Sequence, residues 1–99
     1  MYIAVYLILK KGNDILLLKR QNTGFEDGNF GLPAGHVEKG ENVVTALIRE
    51  LKEEIGVTIE KDKIDFVYIM NRNNHQGRSY IELFFTASEW IGDPINSEP

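Results

Sequence analysis

Three glutamates, Glu50, Glu53 and Glu54, lie within one short stretch of sequence and directly follow Arg49. Residues three and four apart are neighbours on a helix surface, so a helix here brings the three carboxylates together. Carboxylates this close repel one another unless a cation lies among them, and their hard oxygen atoms suit Mg²⁺, Mn²⁺ or Ca²⁺. We therefore predict a divalent metal site at which water attacks a phosphate ester or anhydride. A carboxylate that is not fully committed to the metal is a candidate general base.

A solvated helix surface is the plainer explanation of the same acids. Glutamate-rich surfaces are common, and Arg49 and Lys52 could form no more than weak surface ion pairs there. The three glutamates alone leave both interpretations open. The chain has no cysteine, and no Ser-His pairing stands out, so we do not expect a covalent nucleophile.

A helix over about residues 42–55 is predicted to carry these acids. Asn42, or Glu41 just before it, suits the start of the helix, and Gly56 suits the left-handed position after its last turn. At about 100° per residue, the aliphatic residues share one arc of the helix surface. This arc contains Val44, Leu47, Ile48, Leu51 and Ile55. The acids lie on the neighbouring arc with Arg49 at its edge, so the helix has one face for the core and one for chemistry.

Strands are predicted on both sides of this helix, at residues 2–9, 14–20, 64–70 and 80–87. Gly12 and Asn13 form the predicted tip of a hairpin between the first two strands. The nearly continuous apolar content of those two strands favours burial on both faces of a sheet. Several strands with one amphipathic helix predict a single α+β domain over residues 1–99.

The segment from residue 21 to residue 34 is predicted to be a long loop. A loop of this length in a small domain is usually functional or disordered, and Phe25 and Phe30 favour an ordered one. The two rings either anchor the loop to the core or contact a substrate. Arg20, which precedes the loop, is either a phosphate contact or an ordinary surface arginine.

The composition narrows the class of partner. The chain has 99 residues and a formal net charge of −4, which argues against binding of a nucleic-acid polymer. A small anionic substrate is compatible with that charge if a bound cation supplies positive charge locally. The absence of cysteine suits a reducing compartment. The apolar run at residues 2–9 is too short to span a membrane, and its lysines follow it, unlike those of a signal peptide. We expect a soluble cytoplasmic protein without a membrane partner.

The spacing of the whole segment from Gly35 to Val57 is far more specific than the glutamates alone. It fits G-x5-E-x7-R-E-U-x-E-E-x-G-U without departure, where U is an aliphatic residue. The matching positions are Gly35, Glu41, Arg49, Glu50, Leu51, Glu53, Glu54, Gly56 and Val57. At average amino-acid usage, such a match arises at on the order of one start position in 10⁹. The segment resembles the Nudix box of the Nudix hydrolase family, and the order of the predicted strands is similar to that family as well.

This resemblance implies an enzyme and a fold. Proteins of this family cleave a nucleoside diphosphate linked to a moiety X, release a nucleoside monophosphate and a phosphorylated X, and require Mg²⁺ or Mn²⁺. The implied fold is an α/β/α sandwich with a mixed sheet, in which the box forms a loop, a helix and a second loop. Nucleoside triphosphates, oxidised or ordinary, and nucleotide sugars are the implied substrates. The alternative is a non-catalytic nucleotide-binding or sensing module on the same fold, which would bind nucleotide without hydrolysing it.

The resemblance also assigns roles to the acids of the box. Glu50 and Glu54 are implied as the main metal ligands, and the carbonyl of Gly35 completes the metal shell. Glu53 is implied as a further ligand or as the general base.

Three more box residues receive supporting roles from the resemblance. Arg49 is implied to act in catalysis by orienting the glutamates through charge-assisted hydrogen bonds. Glu41 is implied to tie the loop to the helix, where an acid also favours the helix dipole. Gly56 is the structural glycine that ends the helix.

Several polar and aromatic residues outside these roles have two interpretations each. His36 lies at a variable position of the box, where a structural or solvent role is favoured over metal ligation, and Glu38 is favoured as a solvated loop acid over a supplementary ligand. The predicted loop at residues 71–79 carries a positive patch that either contacts substrate phosphates or stays in solvent, formed by Arg72, His75 and Arg78. Trp90 either stacks on a base or packs at the edge of the core.

The chain ends at Pro99, soon after the last predicted strand. Proteins that it resembles usually continue through another strand and a C-terminal helix that covers one face of the sheet and contributes to the substrate pocket. We therefore expect a C-terminally truncated Nudix domain with an incomplete pocket, which leaves the activity of this chain open. Apolar surface exposed in this way favours a homodimer.

Overall fold

The fold is a mixed β-sheet with one long helix packed against it. A computed structural model describes residues 2–19, 30–73 and 76–94. In chain order the elements are β1 (Tyr2–Lys11), β2 (Asp14–Ile15), β3 (Leu18–Lys19), β4 (Phe30–Gly31), β5 (Ala34–His36), α1 (Val43–Ile55), a 3₁₀ turn (Lys61–Lys63), β6 (Asp65–Asn73) and β7 (Ser79–Ala87). The main sheet has the order β2-β1-β7-β6, β5 also pairs with β1, and β3 and β4 form a separate pair. The mixed sheet and the helix confirm the predicted fold class.

Strand β1 is the centre of the main sheet. It runs parallel to β7 over eight residue pairs, from Tyr2 opposite Tyr80 to Leu9 opposite Ala87. It pairs in the antiparallel sense with β2 at one end and with β5 nearer its start. Strand β1 therefore lies between β7 and the chain segment that precedes α1.

The first hairpin confirms one prediction and contradicts another. The turn at Gly12 and Asn13 connects β1 to β2, and Gly12 has a φ of 64°, which glycine adopts without strain. The returning strand, however, stops at Ile15, and the chain then leaves the main sheet to form β3. Ile15 and Leu17 are half exposed, so the expectation of burial on both faces is wrong for the returning segment. The reason is that β2 is an edge strand with a partner on one side.

The core lies between β1, β7 and the apolar arc of α1. Strand β1 alternates, and Val5, Leu7 and Leu9 point to the helix and are fully buried. The remaining core residues are Ala46, Leu47, Leu51, Ile55, Val57, Ile59, Phe85 and Ala87. This set contains the predicted arc residues Leu47, Leu51 and Ile55, whereas Val44 and Ile48 are half-buried at the rim.

Both ends of α1 have the predicted residues. The side chain of Asn42 accepts a hydrogen bond from the backbone N–H of Thr45 at 2.8 Å. Gly56 follows the last turn with a φ of 75°, and its N–H donates to the carbonyls of Leu51 and Lys52. These caps define where the helix begins and ends, and so which of its residues lie beside β5.

The second hairpin is longer than the sequence predicts. Strand β6 continues to Asn73 and β7 begins at Ser79, so Arg72 lies in a strand and not in the predicted loop. A bulge at Val67 interrupts the antiparallel register of β6 with β7. In the described part of the chain, no helix is long and apolar enough to cross a membrane.

Candidate active site

The close approach of α1 to β5 is the first feature of the site. A Cβ atom built on Gly35 would collide with the side chain of Glu50, including one of its carboxylate oxygens. Glycine at this position therefore lets the Glu50 carboxylate lie directly against the backbone of β5. Glu54, one helical turn further on, accepts a hydrogen bond from the backbone N–H of Ala34 at 3.2 Å. Two carboxylates thus meet two successive residues of one strand.

Arg49 connects the acids of the helix to the loop before it. Its Nε and Nη2 donate to the two oxygens of Glu41 at 2.7 and 3.0 Å, which is a bidentate pair. Its Nη1 donates to Glu50 at 2.9 Å and to Glu53 at 3.3 Å. Nη2 also donates to the carbonyl oxygen of His36 at 3.2 Å. One guanidinium therefore fixes the loop, the end of β5 and two of the three helix carboxylates relative to one another.

Glu41 closes the loop between β5 and α1. Its carboxylate accepts from the backbone N–H of Glu38 at 3.1 Å, and its own N–H donates to the Glu38 carbonyl at 3.1 Å. The hydrogen bonds from Arg49, with that from the Glu38 backbone, hold the pKa of the Glu41 carboxyl below its ordinary value. The same contact with Glu41 raises the pKa of Arg49 above its ordinary value. Both groups are therefore charged near neutral pH.

A cavity of about 610 Å³ opens beside Glu50. Gly35 of β5 and Tyr6 of β1 also line it. Gly31 of β4 also contributes to its wall, and Phe30, the residue before it, is 64% exposed. The cavity thus joins the acidic face of the helix to an aromatic side chain on the sheet.

A second network lies beyond Tyr6, and the sequence analysis missed it. Glu82 of β7 is 4% exposed, and its carboxylate accepts from the Tyr6 hydroxyl at 2.5 Å and from Arg72 Nε at 2.9 Å. The Tyr6 ring stacks on Phe84, with 4.7 Å between the ring centroids. Arg72 is therefore held by a buried carboxylate, which corrects its expected place in a solvent-exposed loop. A charged residue at an alternate position within the apolar run of β7 was the sequence signal for this network.

Titration in this second network is shifted by burial and by the partners. Burial, and after it the hydrogen bond to Glu82, raise the pKa of Tyr6 to about 12. Burial alone would raise the pKa of Glu82, but the hydrogen bonds from Arg72 and Tyr6 outweigh it, so the pKa lies below its ordinary value. Glu82 is therefore a buried, ionised carboxylate whose charge is balanced by Arg72.

Comparison with known protein families identifies the family of the chain. A model of the NUDIX domain family matches residues 2–99. The chain belongs to the Nudix family. The segment from Gly35 to Val57 is accordingly its Nudix box.

Individual relatives agree with this membership. The chain is 53% identical over 55 residues to an ADP-ribose pyrophosphatase of Methanocaldococcus jannaschii. This match covers 56% of the chain and 32% of that protein. It is 27% identical over 100 residues to an 8-oxo-dGTP diphosphatase of Escherichia coli, covering 97% of the chain and 72% of that protein. The structure of a MutT NUDIX hydrolase from Burkholderia pseudomallei superposes with a TM-score of 0.87 at 27% identity, over 99% of this chain and 74% of that one. The chain thus spans about a third of the first relative and about three quarters of the other two.

The Nudix box of this chain fits a magnesium or manganese site. In the part of the chain that the structure describes, no three Asp, Glu or His side chains are arranged to hold a metal ion together. Magnesium, however, commonly uses one or two protein carboxylates and completes its shell with water and phosphate oxygens. Glu50 and Glu54 offer carboxylates of this kind beside β5, since Glu50 lies against Gly35 and Glu54 accepts from the Ala34 N–H. Their donors are oxygen atoms, which suit a hard cation.

The structure describes some of the remaining predicted residues and not others. Trp90 is half-buried and packs against the core, and the Arg78 guanidinium lies 4.5 Å from the centroid of the Tyr2 ring. The predictions for Arg20, Phe25 and His75 lie outside the described residues.

Proposed function

We propose that this protein is a Mg²⁺- or Mn²⁺-dependent pyrophosphohydrolase that cleaves a nucleoside diphosphate linked to X by attack of water on phosphorus. The observation that carries the proposal is the contact of the Glu50 side chain with Gly35. Glu54 accepts a hydrogen bond from the adjacent residue of β5, Ala34, and Arg49 donates a hydrogen bond to Glu50. Membership of the Nudix family supports the same reaction class.

In this proposal Glu50 and Glu54 hold the cation, together with the carbonyl oxygen of Gly35. When bound, the cation neutralises charge on the diphosphate and favours attack by water. The chain contributes the arrangement of the ligands. Gly35 gives the Glu50 carboxylate its place against β5, and the Ala34 N–H fixes one oxygen of Glu54.

Glu53 is the proposed general base. It is about half exposed, at 53% of its side-chain surface, so a water molecule can reach its carboxylate. Arg49 Nη1 lies 3.3 Å from Glu53 Oε2 and limits the orientations of that carboxylate. One oxygen of Glu53 then takes a proton from the attacking water. Arg49 acts as the positioning residue of the box, and Glu41 in turn orients Arg49.

The substrate class is proposed from the cavity and the relatives. A cavity of about 610 Å³ that is lined by both Tyr6 and Glu50 suits a nucleoside whose diphosphate lies at Glu50. The relatives named above act on ADP-ribose and 8-oxo-dGTP by their names, so a nucleotide sugar and a nucleoside triphosphate are the first candidates. Arg20 and Phe30 are proposed as further substrate contacts. A cytoplasmic location belongs to the same proposal, because nucleotide pools are found there and the chain has no cysteine.

An activity screen tests the reaction. The protein is incubated with Mg²⁺ and a panel of ADP-ribose, a nucleotide sugar, dGTP and 8-oxo-dGTP, and products are separated by anion-exchange chromatography. We expect a nucleoside monophosphate from at least one compound, with ¹⁸O from labelled water in one phosphoryl product. Nucleotide binding by calorimetry without hydrolysis of any compound would replace the enzyme with a nucleotide-sensing module.

A metal titration tests the ligand pair without relying on turnover. Mn²⁺ binding is followed by electron paramagnetic resonance in the parent protein and in Glu54→Gln. The matched control is Glu60→Gln, which changes an exposed acid downstream of the helix. We expect weakened binding in Glu54→Gln and parental binding in Glu60→Gln. Equal weakening in both variants would mean that Mn²⁺ responds to general surface charge and would contradict the assigned site.

A further inference from the structure

The edge strand β6 exposes a run of apolar side chains. It is the outermost strand of the main sheet, and all nine of its residues are exposed. Five consecutive residues are apolar and between 38% and 58% exposed, namely Phe66, Val67, Tyr68, Ile69 and Met70. Edge strands of soluble proteins usually carry charges or proline that prevent pairing with other chains. The centre of β6 has neither, so its exposed edge favours pairing with another strand.

The exposed side chains lie on both faces of the sheet. The Phe66 ring contacts the ring of Phe85, a core residue on the helix side, with 5.7 Å between centroids. The Tyr68 ring lies on the opposite side, 6.3 Å from Phe84. A helix packed on the sheet would cover one of these sets. A strand added beside β6 contacts side chains on both faces, so a strand accounts for the exposed residues better than a helix does.

The bulge in β6 gives this strand a self-complementary pattern of charge. Val67 has no partner in β7, so Phe66 and Val67 together occupy one position of the register. Counted from Ile69, Arg72 is then three positions away in one direction and Asp65 three positions away in the other. The partners of Asp65 and Arg72 in β7 are Thr86 and Tyr80, an even number of residues apart, so both side chains lie on the same face.

We propose that β6 is a homodimer interface, in which β6 of two copies pair in the antiparallel sense about a two-fold axis at Ile69. This pairing places Asp65 opposite the partner's Arg72, which stays bonded to Glu82 of its own chain but is 44% exposed, and the symmetry repeats the contact at the other end. It also joins the two sheets into one and places Tyr68 opposite the partner's Met70. A single strand pair is small beside the roughly 1,600 Å² of a standard interface, so we expect a weak, concentration-dependent dimer.

Two measurements on the parent protein test the dimer. Sedimentation velocity across a concentration series is expected to show a monomer–dimer equilibrium, and a monomer at every concentration overturns the proposal. Hydrogen exchange of residues 65–73 is expected to slow as concentration rises. Slow exchange that does not depend on concentration overturns it too, because a segment of the same chain would then cover the edge.

Charge variants test the strand and its register. Ile69→Lys places two lysines at the two-fold axis, and we expect the Kd to rise by about tenfold or more. The matched control is Ile15→Lys on β2, at the other edge of the sheet, where the exposure is 49% against 53% for Ile69. A dimer that weakens equally in both variants, or in neither, overturns the assignment to β6.

Asp65→Arg is the second variant, because it changes an exposed side chain and leaves the apolar run intact. It brings two arginines together at each end of the pair, so we expect a weaker dimer at low salt and a smaller difference at high salt. An unchanged Kd in Asp65→Arg overturns the register. Thermal unfolding of each variant confirms that it folds.

Discussion

Two arginine–glutamate networks lie on different elements and differ in how open their carboxylates are. Arg49 holds acids that are near it along the chain, with Glu41 eight residues away and Glu53 one helical turn away. Arg72 holds Glu82 across two strands, and the third member, Tyr6, is 76 residues from Glu82. The Glu53 side chain is 53% exposed, whereas that of Glu82 is 5% exposed.

This difference separates acids that can do chemistry from acids that hold the fold. A carboxylate that binds a cation or takes a proton needs an oxygen that water or substrate can reach. Both oxygens of Glu82 accept from Arg72, and one of them also accepts from the Tyr6 hydroxyl, so removing these partners would leave a buried charge. In the box, the Glu53 side chain is half exposed and Glu50 lines a cavity. Nearness to an arginine is thus shared by both networks, and accessibility is what distinguishes them.

Glu53→Gln should give the largest effect. If Glu53 is the general base, kcat falls by about 10²–10⁴-fold, because glutamine does not accept the proton. The free energy of unfolding should change by no more than about 0.5 kcal/mol, since the side chain is at the surface. Steady-state kinetics and thermal unfolding of the same preparation measure both. Near-normal kcat would remove Glu53 from the proposed role and weaken the distinction between the two networks.

Gly35→Ala should have the next largest effect. The added methyl group takes the space of the Glu50 side chain and displaces its carboxylate from β5, so we expect kcat to fall by about 10–100-fold, as for other changes that disturb the orientation of metal ligands. Glu50→Gln, alone and combined with Gly35→Ala, is the control: if Gly35→Ala acts through Glu50, it should lower kcat little further in the Glu50→Gln background. An equal fold loss in both backgrounds would mean that the loop, and not the position of Glu50, is responsible.

The helix of the box was readable from the sequence because its pattern is local. Helical geometry places Glu50, Glu53 and Glu54 on one face with Arg49 at its edge, whereas the roles of Arg49 and Glu41 were implied only by the resemblance to the Nudix box. The caps at Asn42 and Gly56 likewise follow from residue types at the helix ends. The sequence therefore predicted α1 nearly to the residue, and it predicted which helix face carries the acids.

The sheet network depends on strand register, which local patterns do not determine. Arg72 was placed in a loop because Asn73 and Asn74 are turn residues, yet pairing with β7 extends β6 to Asn73. Glu82 reaches Arg72 and Tyr6 through the pairing of β7 with β6 and β1, which requires the whole topology. The break after Ile15 has the same origin, since the chain leaves β1 there to pair β3 with β4.

Glu82→Gln should mainly affect stability. It replaces a charged acceptor with a neutral one between Arg72 and Tyr6, and we expect a loss of about 1–3 kcal/mol in the free energy of unfolding. Urea unfolding measures it. Glu89→Gln is the control, because Glu89 forms an exposed ion pair with Lys63 at 3.3 Å, for which a change of at most about 1 kcal/mol is expected. A loss of kcat as large as that of Glu53→Gln would place Glu82 among the chemical acids and break the distinction.

The smallest effect is the pH dependence of that same stability difference. The pKa of Glu82 in the folded protein lies below its ordinary value of 4.5, because the bonds from Arg72 and Tyr6 outweigh burial. A depressed pKa contributes stability that is present above the ordinary pKa and is lost as pH falls through the folded pKa. The advantage of the parent protein over Glu82→Gln should therefore be constant from pH 7 to about pH 5 and shrink below the ordinary pKa of a glutamate. Glu41, whose pKa is also lowered, contributes equally to both proteins and cancels in the difference. An advantage that stays constant down to pH 3 would mean that the ionised form of Glu82 contributes nothing, and that the network is held by the Tyr6 and Arg72 packing instead.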